Sequence, residues 1–78
     1  MSEGEETKTT AGSVEEVLPN SLFRVRLPAK EEGGEGELVL AYLAGKMRLH
    51  RIRVLMGDQV DMVLDPYGGR ARIVRRLT

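Results

Sequence analysis

The sequence predicts an all-β domain, a five-stranded Greek-key barrel with one short helical turn between its third and fourth strands. Three observations lead there. From Gly12 onward the apolar residues fall in short alternating runs. Clusters of turn-forming residues part those runs, notably Pro19-Asn20-Ser21, Met56-Gly57-Asp58-Gln59 and Asp65-Pro66-Tyr67-Gly68-Gly69. The chain has 78 residues and no cysteine, so one apolar core must hold it without disulfides or thiolate-bound zinc.

After Met1, residues 2–11 are Glu, Thr, Ser, Gly and Lys with a single Ala at the end, a composition that buries too little to offset the entropy of ordering the segment 1–11. They are expected to form a disordered acidic tail, with the domain spanning 12–78. The first strand covers Gly12 to Leu18 and ends at Pro19-Asn20-Ser21, where a hairpin turn is expected. The second, Leu22 to Leu27, alternates cleanly, placing Phe23, Val25 and Leu27 inside and Arg24 and Arg26 outside. Pro28 to Glu37 is rich in Gly and Glu without periodicity and reads as a long exposed hairpin loop. Its glycines do not form a phosphate cradle, because no Gly-Lys-Ser/Thr ending follows and the glutamates would repel phosphate. Glu37 to Leu43 is apolar on both faces, as for a strand with a covering element, and Ala44 to Arg51 is the candidate cover, a single helical turn entered at Gly45. Val60 to Leu64 makes a fourth strand with Val60, Met62 and Leu64 inward and Asp58, Asp61 and Asp65 outward. Arg70 to Leu77 makes the fifth. Five short antiparallel strands with a helical element between the third and fourth are the plan of the OB-fold, a barrel used for oligonucleotide binding.

The charge pattern points to the partner. Residues 1–37 hold nine Asp/Glu and four Lys/Arg, residues 38–78 hold three and eight, so a net charge of zero hides halves at minus five and plus five. Such an oriented field fits a polyanion at the basic end. Gly45 to Leu55 carries four cations, and no Asp or Glu lies between Glu37 and Asp58, so Lys46, Arg48, Arg51 and Arg53 have no neighbouring anion. Together with Arg70, Arg72 and Arg76 they are expected to form one continuous RNA-binding face. Of the terminal arginines, either Arg72 or Arg75 has the alternative reading of guarding a strand edge. Met47 has two readings, core filler or packing against nucleotides, and it is placed with the RNA-binding residues.

Other chemistry is not expected. A lone His50 without Cys, His or carboxylate at ligand spacing is not a metal site. Asp58 and Asp61, three apart in or near a strand, stand at a spacing that does not bring two carboxylates together as acid and base, and are read as turn and surface residues. No nucleophile arrangement is visible, so neither enzyme activity nor a cofactor is expected. The longest apolar run, Leu38 to Ala44, is seven residues, against the roughly 20 needed to span a bilayer. No secretory or transit signature opens the chain, which leaves the cytoplasm as the expected location and no membrane as a partner. With only Phe23, Tyr42 and Tyr67 as aromatics, recognition of folded RNA by shape and phosphate fits better than reading free single strands by stacking.

Gly12-Ser13-Val14, Leu18-Pro19-Asn20, Phe23-Arg24-Val25, Ala44-Gly45-Lys46-Met47-Arg48, Ile52-Arg53, Gly57-Asp58-Gln59-Val60, Pro66-Tyr67 and Arg72-Ile73-Val74, in this order, resemble bacterial translation initiation factor one from about Gly12 to Arg76. The resemblance implies a monomer on the small ribosomal subunit at the aminoacyl-tRNA decoding site, touching ribosomal RNA and ribosomal protein S12. It further implies that elongator tRNA is kept out during initiation and that the other two initiation factors are supported. By motif, Gly45, Lys46, Met47 and Arg48 would enter an RNA minor groove, and Arg53 and Arg72 would contact backbone. The chain departs from the family in its longer acidic hairpin loop, in Arg51 and Arg75 where aromatics are frequent, and in a shorter turn at Gly68-Gly69-Arg70. Two other readings stay open: a general RNA-binding OB-fold protein or RNA chaperone, and a protein-interaction module working through the acidic loop.

Overall fold

The computed structural model describes residues 8–78. Its elements are β1 (Thr10–Leu18), β2 (Leu22–Arg26), β3 (Leu38–Leu43), α1 (Gly45–Leu49), β4 (Gln59–Val63) and β5 (Ala71–Arg76), with the 3-10 turn Pro19–Ser21 joining β1 to β2. The strands close into a barrel in the order β1-β2-β3-β5-β4. This is the expected five-stranded OB barrel with its helical element between β3 and β4. One expectation needs correction, because the strands are not all antiparallel. Directions can alternate around a closed ring only when the strand number is even, so five strands force one parallel seam. That seam is β3 with β5, registered Ala41↔Ala71, Tyr42↔Arg72 and Leu43↔Ile73. A parallel pair needs a long crossover, and here α1 and β4 supply it.

The core is filled by Val14, Phe23, Val25, Ala41, Met47, Val54, Val60, Met62, Ala71 and Ile73, all buried. Period-two alternation explains most of that membership. Phe23 and Val25 point in while Arg24 is exposed between them, and Val60 and Met62 flank the outward Asp61. Gly12 is required by a close approach: a Cβ there would stand 2.7 Å from Val25 Cγ1 and 2.9 Å from the Arg26 carbonyl oxygen. Leu64, expected inside, is 37% exposed because β4 ends at Val63 and the chain turns away at Asp65. β1 starts at Thr10, paired with Met62, and Ala11 pairs with Asp61, so the strand reaches two residues into the expected tail. The remainder of that tail, residues 1–7, lies outside the described residues.

Two β-bulges break the alternation, and both place an ion pair. In β1 the register shifts between Val14 and Glu16, so Glu15 and Glu16 both meet arginines of β2. Arg26 donates from Nε and Nη2 to the two oxygens of Glu15 at 3.0 Å each, and Arg24 Nη1 lies 3.2 Å from Glu16 Oε1. The hydrogen bonds from Arg26 hold the Glu15 carboxyl below the usual carboxylate range. In the β4–β5 ladder Met62 faces Ile73 while Asp61 faces Arg75, leaving Val74 as the extra residue. Arg75 Nη2 then sits 3.0 Å from Asp61 Oδ2.

Candidate nucleic-acid interface

The helix α1 is anchored by one side chain. It is a single turn with no acidic residue in its first turn and no side-chain cap at Ala44, so its intrinsic stability is low. Two features hold it. The Ala44 N–H donates to the Ile73 carbonyl at 2.9 Å, continuing the β3–β5 seam to the start of the helix. Met47, 1% exposed, fills the barrel core. This corrects the expectation that Met47 packs against nucleotides: its thioether closes the barrel end, and the cover expected over the outer face of β3 is in fact a plug. Ala41 belongs to the core and the partly buried Val39 and Leu43 pack against it, while Leu38, Leu40 and Tyr42, on the other face, are at least partly exposed.

Burial of Met47 turns its neighbours outward. Lys46, Arg48, His50 and Arg51 are all exposed. The helix ends in a two-bond reversal, with the Arg51 N–H donating to the Arg48 carbonyl and the Ile52 N–H to the Met47 carbonyl, at 3.1 and 3.0 Å. Arg51 occupies the left-handed position of that reversal at φ 55°, where glycine is the usual residue. Ile52 then packs against the core and Val54 enters it, which turns Arg53 to solvent between them. Asp58 closes the next turn by accepting from the Leu55 N–H at 2.8 Å.

β5 carries the second set of cations. Arg76 Nη1 donates to the Arg53 carbonyl at 3.0 Å, which ties the end of β5 to the segment after α1. Lys46, Arg48, Arg51, Arg53 and Arg76 thus share one end of the barrel, and Arg72 extends the set along the outer face of β5. Among the described residues none of these six lies within 4.0 Å of a carboxylate, whereas Arg24, Arg26 and Arg75 each have one. Arg70 departs from the single face expected. It precedes β5 by one residue, roughly 20 Å from Arg76 at about 3.3 Å per residue, and borders a cleft with Glu37. Exposed Leu49 and Met56, at 76% and 71%, stand in the same cationic stretch of chain. The sequence marks them only as a helix former and a turn neighbour, so their exposure has no signal there.

The acidic loop lies at the other end. It leads into the start of β3, while α1 leaves from its finish, so six strand residues, roughly 20 Å, separate loop from helix. The charge asymmetry of the sequence becomes a separation in space. No helix among the described residues is long and apolar enough to cross a membrane.

Comparison with known proteins places this geometry in a family. The family described as eIF-1a, Translation initiation factor 1A / IF-1, matches residues 1–78. Among solved structures, translation initiation factor one from the Wolbachia endosymbiont strain TRS of Brugia malayi is similar at a TM-score of 0.68 and 30% identity, over 91% of this chain and 78% of that one. YjeQ from Thermotoga maritima also gives a TM-score of 0.68, at 24% identity over 91% of this chain. The likeness to YjeQ is one of fold, and the present chain spans 23% of its length.

Proposed function

Since the chain belongs to the translation initiation factor 1A / IF-1 family, we propose that it acts on the small ribosomal subunit, with the α1 end of the barrel set against ribosomal RNA in the aminoacyl-tRNA decoding site. One observation carries this reading: a helix pinned inward by Met47 displays cations that have no intramolecular carboxylate among the described residues. A single turn projecting Lys46 and Arg48, followed by Arg51 and Arg53, is a narrow cationic wedge that fits the groove of a folded RNA. Phosphate contacts of this kind fix position and supply affinity. Occupying the decoding site would exclude elongator tRNA by volume alone, without catalysis. Ribosomal protein S12 and the other two initiation factors are the expected neighbours there, and the acidic loop at the far end of the barrel would point away from the RNA.

The test uses purified small subunits. Replacing Lys46, Arg48 and Arg53 together with alanine should leave the folded barrel intact, since all three side chains are exposed, and should abolish binding at moderate salt. The slope of log affinity against log salt should fall by about three, one for each lost phosphate contact. Undiminished binding would overturn the site. Equal affinity for subunits and arbitrary oligonucleotides would instead support a general RNA-binding protein or RNA chaperone, and protection of the decoding site in chemical footprinting of ribosomal RNA would exclude that alternative.

A further inference from the structure

The barrel is closed along only part of β3. On one side β3 pairs with β2 from Leu38↔Arg26 to Tyr42↔Leu22. On the other side the ladder with β5 starts at Ala41↔Ala71, so Leu38, Val39 and Leu40 have no strand beside them there. Two hydrogen bonds fix which groups face that gap. The Glu37 carbonyl accepts from the Leu27 N–H on the β2 side, and the Ala44 N–H donates to the Ile73 carbonyl on the β5 side. Alternation between them turns the backbone of Leu38 and Leu40 toward β5. The N–H groups of Leu38 and Leu40 and the Leu38 carbonyl therefore have no backbone partner among the described residues. Neither residue brings a charge or a proline, the usual means of blunting a strand edge.

A cleft of about 300 Å³ runs along this edge, between Glu37–Leu40 and Gly68–Arg70. Two further hollows adjoin it, and Glu37 borders all three. One, of about 240 Å³ at the mouth of the barrel, has an apolar wall of Leu27, Val39, Leu64, Pro66 and Ala71. The other, of about 340 Å³, lies in the acidic loop against Glu31 and Glu35. That loop, Pro28 to Glu37, holds four glutamates and one lysine. None of the four glutamates has a cation within 4.0 Å among the described residues.

We propose that this edge takes an extended segment of a protein partner as a further strand beside β3, with an apolar residue over the barrel mouth and lysine or arginine at the end beside the acidic loop. The surface lies opposite α1, so the inference does not rest on the RNA reading. Only another backbone supplies donors and acceptors at strand spacing to the three free groups of Leu38 and Leu40. Charge selects among the strands that could do so. A second copy of this chain would bring its own acidic loop against the first, whereas a cationic segment meets four unpaired carboxylates. Arg70, at the Leu40 end of the cleft, disfavours a cation there and so orients the occupant.

The test titrates the full ¹⁵N-labelled chain with the capped peptides Lys-Lys-Val-Thr-Val and Val-Thr-Val-Lys-Lys, which cover both strand directions. At least one should shift the Leu38 and Leu40 amide resonances and slow their exchange with D₂O. Replacing Glu31, Glu35 and Glu37 together with Gln leaves the fold intact, since all three are exposed, and should weaken binding by about 3- to 100-fold. Leu38→Pro removes a free donor without breaking the ladder to β2 and should weaken it by about 2- to 12-fold. Equal binding of Glu-Glu-Val-Thr-Val, or of a peptide N-methylated along Val-Thr-Val, would overturn the proposal. So would unchanged affinity in the glutamine variant, or shifts confined to residues 45–55. Slow exchange of both amides without peptide would also overturn it: in a dimer by sedimentation the occupant is a second copy, and in a monomer the chain fills its own edge.

Discussion

The β1–β2 hairpin and the α1–β5 end of the barrel are both rich in arginine, and they use it in opposite ways. In the hairpin every arginine has a carboxylate: Arg24 meets Glu16, and Arg26 meets both oxygens of Glu15 and also donates to the Gly36 carbonyl at 3.0 Å. At the other end Lys46, Arg48, Arg51 and Arg53 have none among the described residues, and Arg76 donates only to a backbone carbonyl. The difference is therefore not in the number of cations but in their partners. A paired guanidinium has its field cancelled within a few ångströms and helps to align two strands. An unpaired one leaves its field for a ligand. β5 contains both cases, with Arg75 cancelled by Asp61 and Arg72, three residues earlier, left free among the described residues.

The largest test of that contrast attacks the anchor of the free cations. Met47→Ala removes a buried side chain from the plug and should destabilise the barrel by about 2–5 kcal/mol, much of the total stability of so small a domain. Urea unfolding should show it directly, and a loss below about 1 kcal/mol would mean that α1 is held by its backbone bonds alone. A smaller effect separates paired from unpaired arginines. Arg72→Ala should lower the salt slope of subunit binding by about one. Arg75→Ala should leave it unchanged while reducing stability by about 1 kcal/mol or less, the usual range for an exposed ion pair. Equal slopes for the two variants would erase the distinction.

The smallest effect concerns pH. Because Arg26 depresses the Glu15 carboxyl in the folded state, this pair stabilises the fold at neutral pH, and its contribution is lost as pH falls through that depressed value. The melting temperature of Arg26→Gln should therefore fall less than that of the parent between about pH 5 and pH 2. The difference should shrink in high salt, since both groups are substantially exposed.

The alternating strand β2 and the turn at Asp65 were legible in the sequence because each follows from local physics, period two in one case and Asp-Pro-x-Gly chemistry in the other. The cationic stretch Lys46 to Arg53 was legible because no anion lies near it in the chain. The fate of Met47 was not, since a single-turn helix gives no periodicity from which to read its inner face. Arg75 could be assigned only from its partner, because the bulge that turns it toward Asp61 is a property of two strands and not of one. Arg70 precedes β5 by one residue, so it stays beside Arg72 and near Glu37 while the length of the strand separates it from Arg76.

The parallel seam has a consequence for how the chain is made. β5 holds the last residues of the barrel and lies between β3 and β4, so during synthesis from the N-terminus those two strands are finished while each still lacks a neighbour. Until Ala71–Arg76 has emerged, the nascent protein is an open sheet with two bare edges, the arrangement most exposed to wrong pairing. Closure then comes in one step, and the same step brings Arg76 to the Arg53 carbonyl and Ile73 to the start of α1. The cationic end is thus completed only when β5 is complete, so a copy that stops short of it lacks the assembled surface of a finished one.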